Sequence, residues 1–245
     1  MAAILPIGSG KGGVGKTLFS ANLGVCLARH GKTVILVDLD LGSSNLHTVM
    51  GIKNKYPGIG SFIYKHEESL ESLVVETGIP QLYLIPGDSL FSGTANLQFF
   101  MKRRIIKELS NLVADYVILD LGAGSAYNTI DFFLTSLNGI VITTPETTAI
   151  LNAYSFLKTA LFRLIYRSFP VRGTERGEIL RFMGTKIEGT GLSFSNLIDT
   201  LDHINPESAD LARTHIERFF PRVVLNMGKS SRDLSLGGKL REIAR

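Results

Sequence analysis

The chain has 245 residues, 44% of them hydrophobic, enough for one substantial α/β domain with a filled core. Its 26 Lys and Arg against 22 Asp and Glu give a formal charge of +4, a mild bias that accommodates anionic partners without demanding them. One cysteine, Cys26, excludes an internal disulfide and a paired-cysteine metal site, and agrees with a reducing cytoplasm.

The chain opens on a strand-length apolar run, Ala3 to Ile7. It shows no basic leader and no apolar stretch long enough to span a bilayer, so it is expected to be neither secreted nor integral to a membrane. An amphipathic stretch from Lys16 to Arg29 follows, then strand-like runs at Thr33 to Val37 and Gln81 to Ile85. A helix from Leu97 to Leu112 leads to the run Tyr116 to Leu119, a helix from Thr129 to Ser136, the run Gly139 to Thr143 and a helix from Thr148 to Ser168. From Phe169 to Phe220 there are two or three helix-like segments and no convincing strand, which reads as a helical insertion. A strand at Val223 to Asn226 and a helix from Asp233 to Arg245 complete the order. Strand-length runs alternating with longer amphipathic ones predict a doubly wound, mostly parallel sheet with helices on both faces. The whole of 1–245 is expected to be one domain, with the insertion at about 169–220.

Between the first strand and the first helix lies Gly10-Lys11-Gly12-Gly13-Val14-Gly15-Lys16-Thr17, the G-x-x-x-x-G-K-[ST] pattern in the context that confirms it. Glycines let successive backbone N–H groups converge on phosphates, and the helix starting at Lys16 turns its positive end toward them. Lys16 adds a point charge on the β and γ oxygens, the Thr17 hydroxyl suits Mg²⁺, and Leu18 follows on the same first turn. The expected ligands are ATP and Mg²⁺.

The second lysine, Lys11, makes the motif similar to the deviant Walker A of the ParA/MinD family of ATPases. The resemblance implies a P-loop NTPase of the SIMIBI type. It also implies that Lys11 reaches across an ATP-dependent homodimer to the phosphates of the other subunit, a catalytic role. Asp38-Leu39-Asp40 followed by Asn45-Leu46 resembles the family's first switch; by position Asp40 would orient the attacking water and Asp38 would support the Mg²⁺ shell and the loop. Asp120, delivered by the apolar run Tyr116 to Leu119, resembles a Walker B acid that serves Mg²⁺. Gly122 stands where many members carry proline. Thr144-Pro145-Glu146 resembles a family run leading into a helix, and Asn226 the asparagine that hydrogen-bonds adenine, with a donor and an acceptor to offer its edge.

The wording Asp38-Leu39-Asp40-Leu41-Gly42 through Leu46 is closest to the MinD branch, which includes the flagellar-number regulators FlhG and FleN. That branch implies an ATP-hydrolysing switch in flagellar or division-site placement, a flagellar or division regulator as partner, and a cytoplasmic location with peripheral contact at the membrane's inner face. Members of that branch usually end with one more strand and a membrane-lying helix; neither is expected before Arg245, either because the sequence stops short of them or because the element is missing. The run Phe156 to Arg167, apolar on one side and basic on the other, offers either a core-facing helix or a membrane-lying one. A ParA-type ATPase contacting DNA non-specifically is the alternative. An iron–sulfur carrier would need more cysteines than Cys26, and a tyrosine kinase of this fold would need a tyrosine-rich tail that the sequence does not show.

Overall fold

A computed structural model describes residues 2–53, 55–87, 97–184, 194–230 and 233. They group into two compact units, one within Met1–Phe156 and Pro221–Arg245, the other within Leu157–Phe220.

The first unit is built on strands β1 (Ala3–Gly8), β2 (Val34–Leu39), β3 (Val75–Glu76), β4 (Leu82–Ile85), β5 (Tyr116–Leu121), β6 (Ile140–Thr143) and β7 (Arg222–Leu225), in the order β3-β4-β2-β5-β1-β6-β7. Every pairing is parallel except β3 with β4. Helices α1 (Lys16–Arg29), α2 (Leu46–Val49), α3 (Ile59–Ile63), α4 (Phe99–Leu109), α5 (Tyr127–Phe133) and the start of α6 (Thr147–Ser168) lie between them. The central strands are apolar along their whole length; β2, for instance, is buried at all six positions, as expected of a strand covered on both faces. Ile7, Val34, Leu36, Leu84, Ile118 and Ile142 are fully buried in this core, each burial stabilising the fold by about 1.5–3 kcal/mol. Gly24 lets α1 lie close on the sheet, since a Cβ there would stand 2.7 Å from Leu36 Cδ2 and 3.2 Å from Leu82 Cδ1.

The predicted strands and helices of this unit are present with ends shifted by a few residues. β3, only two residues long and antiparallel at the sheet edge, carries too little sequence to show a period. The helix expected from Asp233 to Arg245 lies outside the described residues apart from residue 233.

In the second unit, α7 (Thr174–Gly184), α8 (Phe194–Ile204) and α9 (Pro206–Arg218) pack with the later turns of α6. Phe162 and Ile165 of α6 join Ile179, Phe182, Leu197 and Leu201 in one core, with the Phe162 and Phe194 rings stacked at 4.7 Å between centroids. The unit therefore starts inside α6, at Leu157, earlier than the helix end at which the sequence alone places an insertion. Asn205 caps α9 by accepting from Glu207 N at 3.0 Å, with Pro206 in the first turn. With Phe156, Ala160, Phe162 and Ile165 all buried, the apolar side of the 156–167 run is core, the first of the two readings its sequence offers.

Candidate functional site

In an open α/β sheet ligands bind beyond the carboxyl ends of the strands, where the connections turn to opposite sides. Here that point is β1: its neighbours are β5 on one side and β6 on the other. The loop from Ser9 to Gly15 leaves β1 and enters α1, with Gly13 at φ 77° and Gly15 at φ 86°, a left-handed region that favours glycine. Gly10 is needed for a different reason, because a Cβ there would sit 2.1 Å from the Asn152 backbone oxygen on α6.

Gly15 occupies the N-cap position of α1 and offers no side-chain acceptor, and the first turn carries no acid. The first N–H groups of α1 are thus left for an external anion, on a helix end that already favours negative charge. Lys16 is buried and donates from Nζ to Asp120 Oδ1 at 3.0 Å; Ser20, one turn along, donates from Oγ to the same oxygen at 3.0 Å. Thr17 is half-buried, and Leu18, at 58% exposure, is a large apolar side chain open at the start of the helix.

The acids come from adjacent strands, with Asp38 of β2 directly opposite Asp120 of β5 in the parallel register. Asp38 is fully buried and accepts from Ser44 Oγ at 2.7 Å, Leu46 N at 3.0 Å and Asp40 N at 3.1 Å. Burial pushes its carboxyl from 3.8 up to about 6 and the Asp120 charge adds to the rise, against the lowering effect of those hydrogen bonds. Such engagement makes Asp38 an anchor of the 40–46 loop more than a donor to a cation. Asp40 is also raised, first by burial; Lys16 pulls it down and Asp120 pushes it up. Its Oδ1 lies 3.4 Å from the place of a Cβ on Gly122, so the two loops that follow β2 and β5 meet there. The β5 loop is also tied to the loop that leaves β1, Gly124 N donating to Ser9 O at 2.8 Å. Among the described residues no group of three or more His, Cys, Asp or Glu is arranged to hold a metal by itself. A cation here would depend on phosphate oxygens and water.

Lys11 stands apart from Lys16. Its Nζ donates to Glu146 Oε2 at 2.7 Å and reaches Thr148 Oγ1 at 3.5 Å, at the exposed rim where β6 passes into α6. The contact lowers the Glu146 carboxyl below its ordinary value. Asn226, just past β7, donates from Nδ2 to Val14 O at 2.9 Å and from its backbone N to Thr143 O at 2.8 Å, which seats it against the phosphate-type loop. The sequence did not single out Ser20 and gave Glu146 no role. Ser20 is visible as the residue one helical turn after Lys16, whereas the contact of Glu146 with Lys11 depends on tertiary placement.

The Asp38 shift gives a testable pH dependence. Folded Asp38 keeps its proton up to about pH 6, while the unfolded group releases it near 3.8. Between those values the native state binds more protons, so this group makes stability fall as pH rises. The difference is on the order of 3 kcal/mol. Asp38→Asn is expected to flatten the dependence of the urea midpoint on pH between about 4 and 7; parallel curves for both chains would contradict it.

A family model, the CobQ/CobB/MinD/ParA nucleotide binding domain, matches residues 5–236. The flagellum site-determining protein YlxH of Helicobacter pylori is 37% identical over 160 residues, covering 63% of this chain and 52% of its own. The septum site-determining protein MinD of Bacillus subtilis is 38% identical over 161 residues, covering 62% and 57%. The chain thus spans about half the length of the curated relatives it matches. MinD of Pyrococcus horikoshii, solved in complex with Mg-ADP, superposes with a TM-score of 0.57 at 27% identity, over 63% of each chain. No helix among the described residues is long and apolar enough to cross a membrane. On the match across 5–236, together with a sheet that reverses at the loop carrying both lysines, the chain belongs to the CobQ/CobB/MinD/ParA nucleotide binding domain family.

Proposed function

We propose that the chain is an ATP-hydrolysing dimeric switch of the MinD/ParA type, serving spatial regulation such as flagellar number or division-site placement. The observation that carries this reading is the division between two lysines. Lys16 is buried in the cradle on Asp120, and Lys11 is held outside it at an exposed rim, on Glu146 and Thr148. A cation at a rim is placed to serve a second molecule better than its own.

The residues fit a magnesium nucleotide. An uncapped helix start, left-handed glycines and a buried lysine suit phosphates, and the clustered Asp38, Asp40 and Asp120 carry more negative charge than Lys16 balances. Gly10 and Gly12 through Thr17 would hold the phosphates, Thr17 and Asp120 would hold Mg²⁺, and Leu18 and Asn226 would flank the nucleoside. Bound Mg²⁺ supplies positive charge to the β and γ oxygens. Asp40, raised by burial, is suited to accept a hydrogen bond from water, and its carboxylate stands near Gly122, where the loops after β2 and β5 would respond together. Relatives named for flagellum and septum site determination support the spatial role, and one solved with Mg-ADP supports the ligand.

The test is light scattering in Mg-ATP and Mg-ADP, paired with turnover. The chain is expected to double in mass from 26.8 kDa only with Mg-ATP. Asp40→Ala is expected to keep that dimer while turnover falls by about a hundredfold or more. A chain monomeric in both nucleotides would sink the switch, and ATP-dependent, salt-sensitive DNA binding would move the reading to a partition ATPase.

A further inference from the structure

Asp120 Oδ1 accepts from two side chains at once, Lys16 Nζ and Ser20 Oγ, each at 3.0 Å. The two donors are anchored differently. The Lys16 ammonium rides on a flexible four-carbon stem, whereas Ser20 carries its hydroxyl directly on Cβ, fully buried on α1. Ser20 Oγ also lies 3.0 Å from Lys16 O, the carbonyl one turn back. A hydroxyl has one proton to donate, so these two acceptors compete for it. The carbonyl is neutral and has the helix N–H four residues on as its regular partner. The carboxylate is 1% exposed, and a hydrogen bond to a charged acceptor is about twice as strong as a neutral one, which assigns the proton to Asp120.

Phosphates at the uncapped start of α1 compete with Asp120 for the Lys16 ammonium. Once the ammonium turns to them, Asp120, directly opposite Asp38 in the register, keeps Ser20 as its one side-chain donor among the described residues. We infer that Ser20 is a positioning residue: its hydroxyl holds Asp120 Oδ1 while Lys16 serves the phosphates, and so keeps the carboxylate in one orientation for the cation. The inference rests on the nucleotide reading above. It gives Asp120 two holders with separate duties. Lys16 balances the buried acid in the nucleotide-free chain, and Ser20, which cannot follow the ammonium, fixes the acid when that balance is withdrawn.

The experiment measures ATP affinity by calorimetry on the full chain, once with Mg²⁺ and once in EDTA, beside urea denaturation of the nucleotide-free chain. Ser20→Ala removes one oxygen and suits a helix, so it is expected to fold. Its urea midpoint should stay close to the parent's, because Lys16 still covers Asp120 in the absence of nucleotide. Mg-ATP affinity should fall about tenfold, while affinity in EDTA changes by less than about twofold. Ser20→Thr, whose hydroxyl can make the same bonds from a helix, should bind Mg-ATP close to the parent. Unchanged Mg-ATP affinity in Ser20→Ala would overturn the inference. An equal loss with and without Mg²⁺ would also overturn it, by assigning Ser20 to the packing of α1. So would a Thr variant that keeps the parent's midpoint yet binds like the Ala variant. A parent chain that binds ATP equally well with Mg²⁺ and in EDTA would overturn it too, while leaving the phosphate cradle intact. A parent that binds ATP in neither condition would remove the nucleotide reading itself and this inference with it.

Discussion

Lys11→Ala is expected to keep Mg-ATP affinity within about threefold of the parent chain while lowering hydrolysis by about a thousandfold or more. Affinity survives because the Gly12 to Lys16 cradle, the uncapped start of α1 and the Lys16–Asp120 pair involve no atom of Lys11. On the proposed reading hydrolysis would fail because Lys11 would deliver a cation to the γ-phosphate from a second subunit, acting on the transition-state charge as an arginine finger does. The fold has little at stake, since the Lys11–Glu146 contact lies at an exposed rim. Light scattering supplies the second readout: in the Asp40→Ala background the Mg-ATP dimer should disappear when Lys11 is also replaced. A double variant that still dimerises, with a single variant that still turns over, would reduce Lys11 to a solvated partner of Glu146.

Lys16→Ala is expected to lose Mg-ATP binding outright, by about a hundredfold or more, and to lower stability as well. The second effect follows from burial. Asp120 is 1% exposed, faces Asp38 across the register and would keep only the Ser20 hydroxyl of its two side-chain donors. Breaking a buried pair from one side typically costs about 3–5 kcal/mol, because the remaining charge is stranded. Adding Asp120→Asn to Lys16→Ala should restore most of the urea midpoint, which assigns the loss of stability to the stranded acid. Recovery of binding in that double variant would show that the loss was only one of folding.

Most of the sheet was legible because each central strand is a short apolar run bounded by a turn, and the longer helices α4 and α6 carry an apolar face. The loop at Gly10 to Thr17 was legible for a stricter reason: glycine is required where the backbone turns left-handed or meets Asn152. Legibility fails where a residue's meaning comes from a distant partner. Lys102, on the amphipathic α4, reads as a solvated cation, yet it is buried in an ion pair with Asp131 and donates to Asn128 Oδ1 at 3.2 Å, both on α5. Nothing within a turn of Lys102 announces those partners. The short α2 and α3, four and five residues long, are likewise too brief for helical periodicity to register. Asp38 illustrates a partial case: its position at a strand end marks an acid near the site, but only the three donors around it show that it organises the loop.

The hydrogen bond from Asn226 to Val14 joins residues 212 positions apart, nearly the full span of the chain. Non-local closures of this kind slow folding, since loop entropy is lost before the contact is made. A nascent chain can therefore emerge with its glycine loop and both lysines complete while the wall beside that loop is still inside the ribosome. Nucleotide, by binding only the closed arrangement, would draw that last strand into place, so refolding in Mg-ATP should finish with a smaller fraction of open chains than refolding without it.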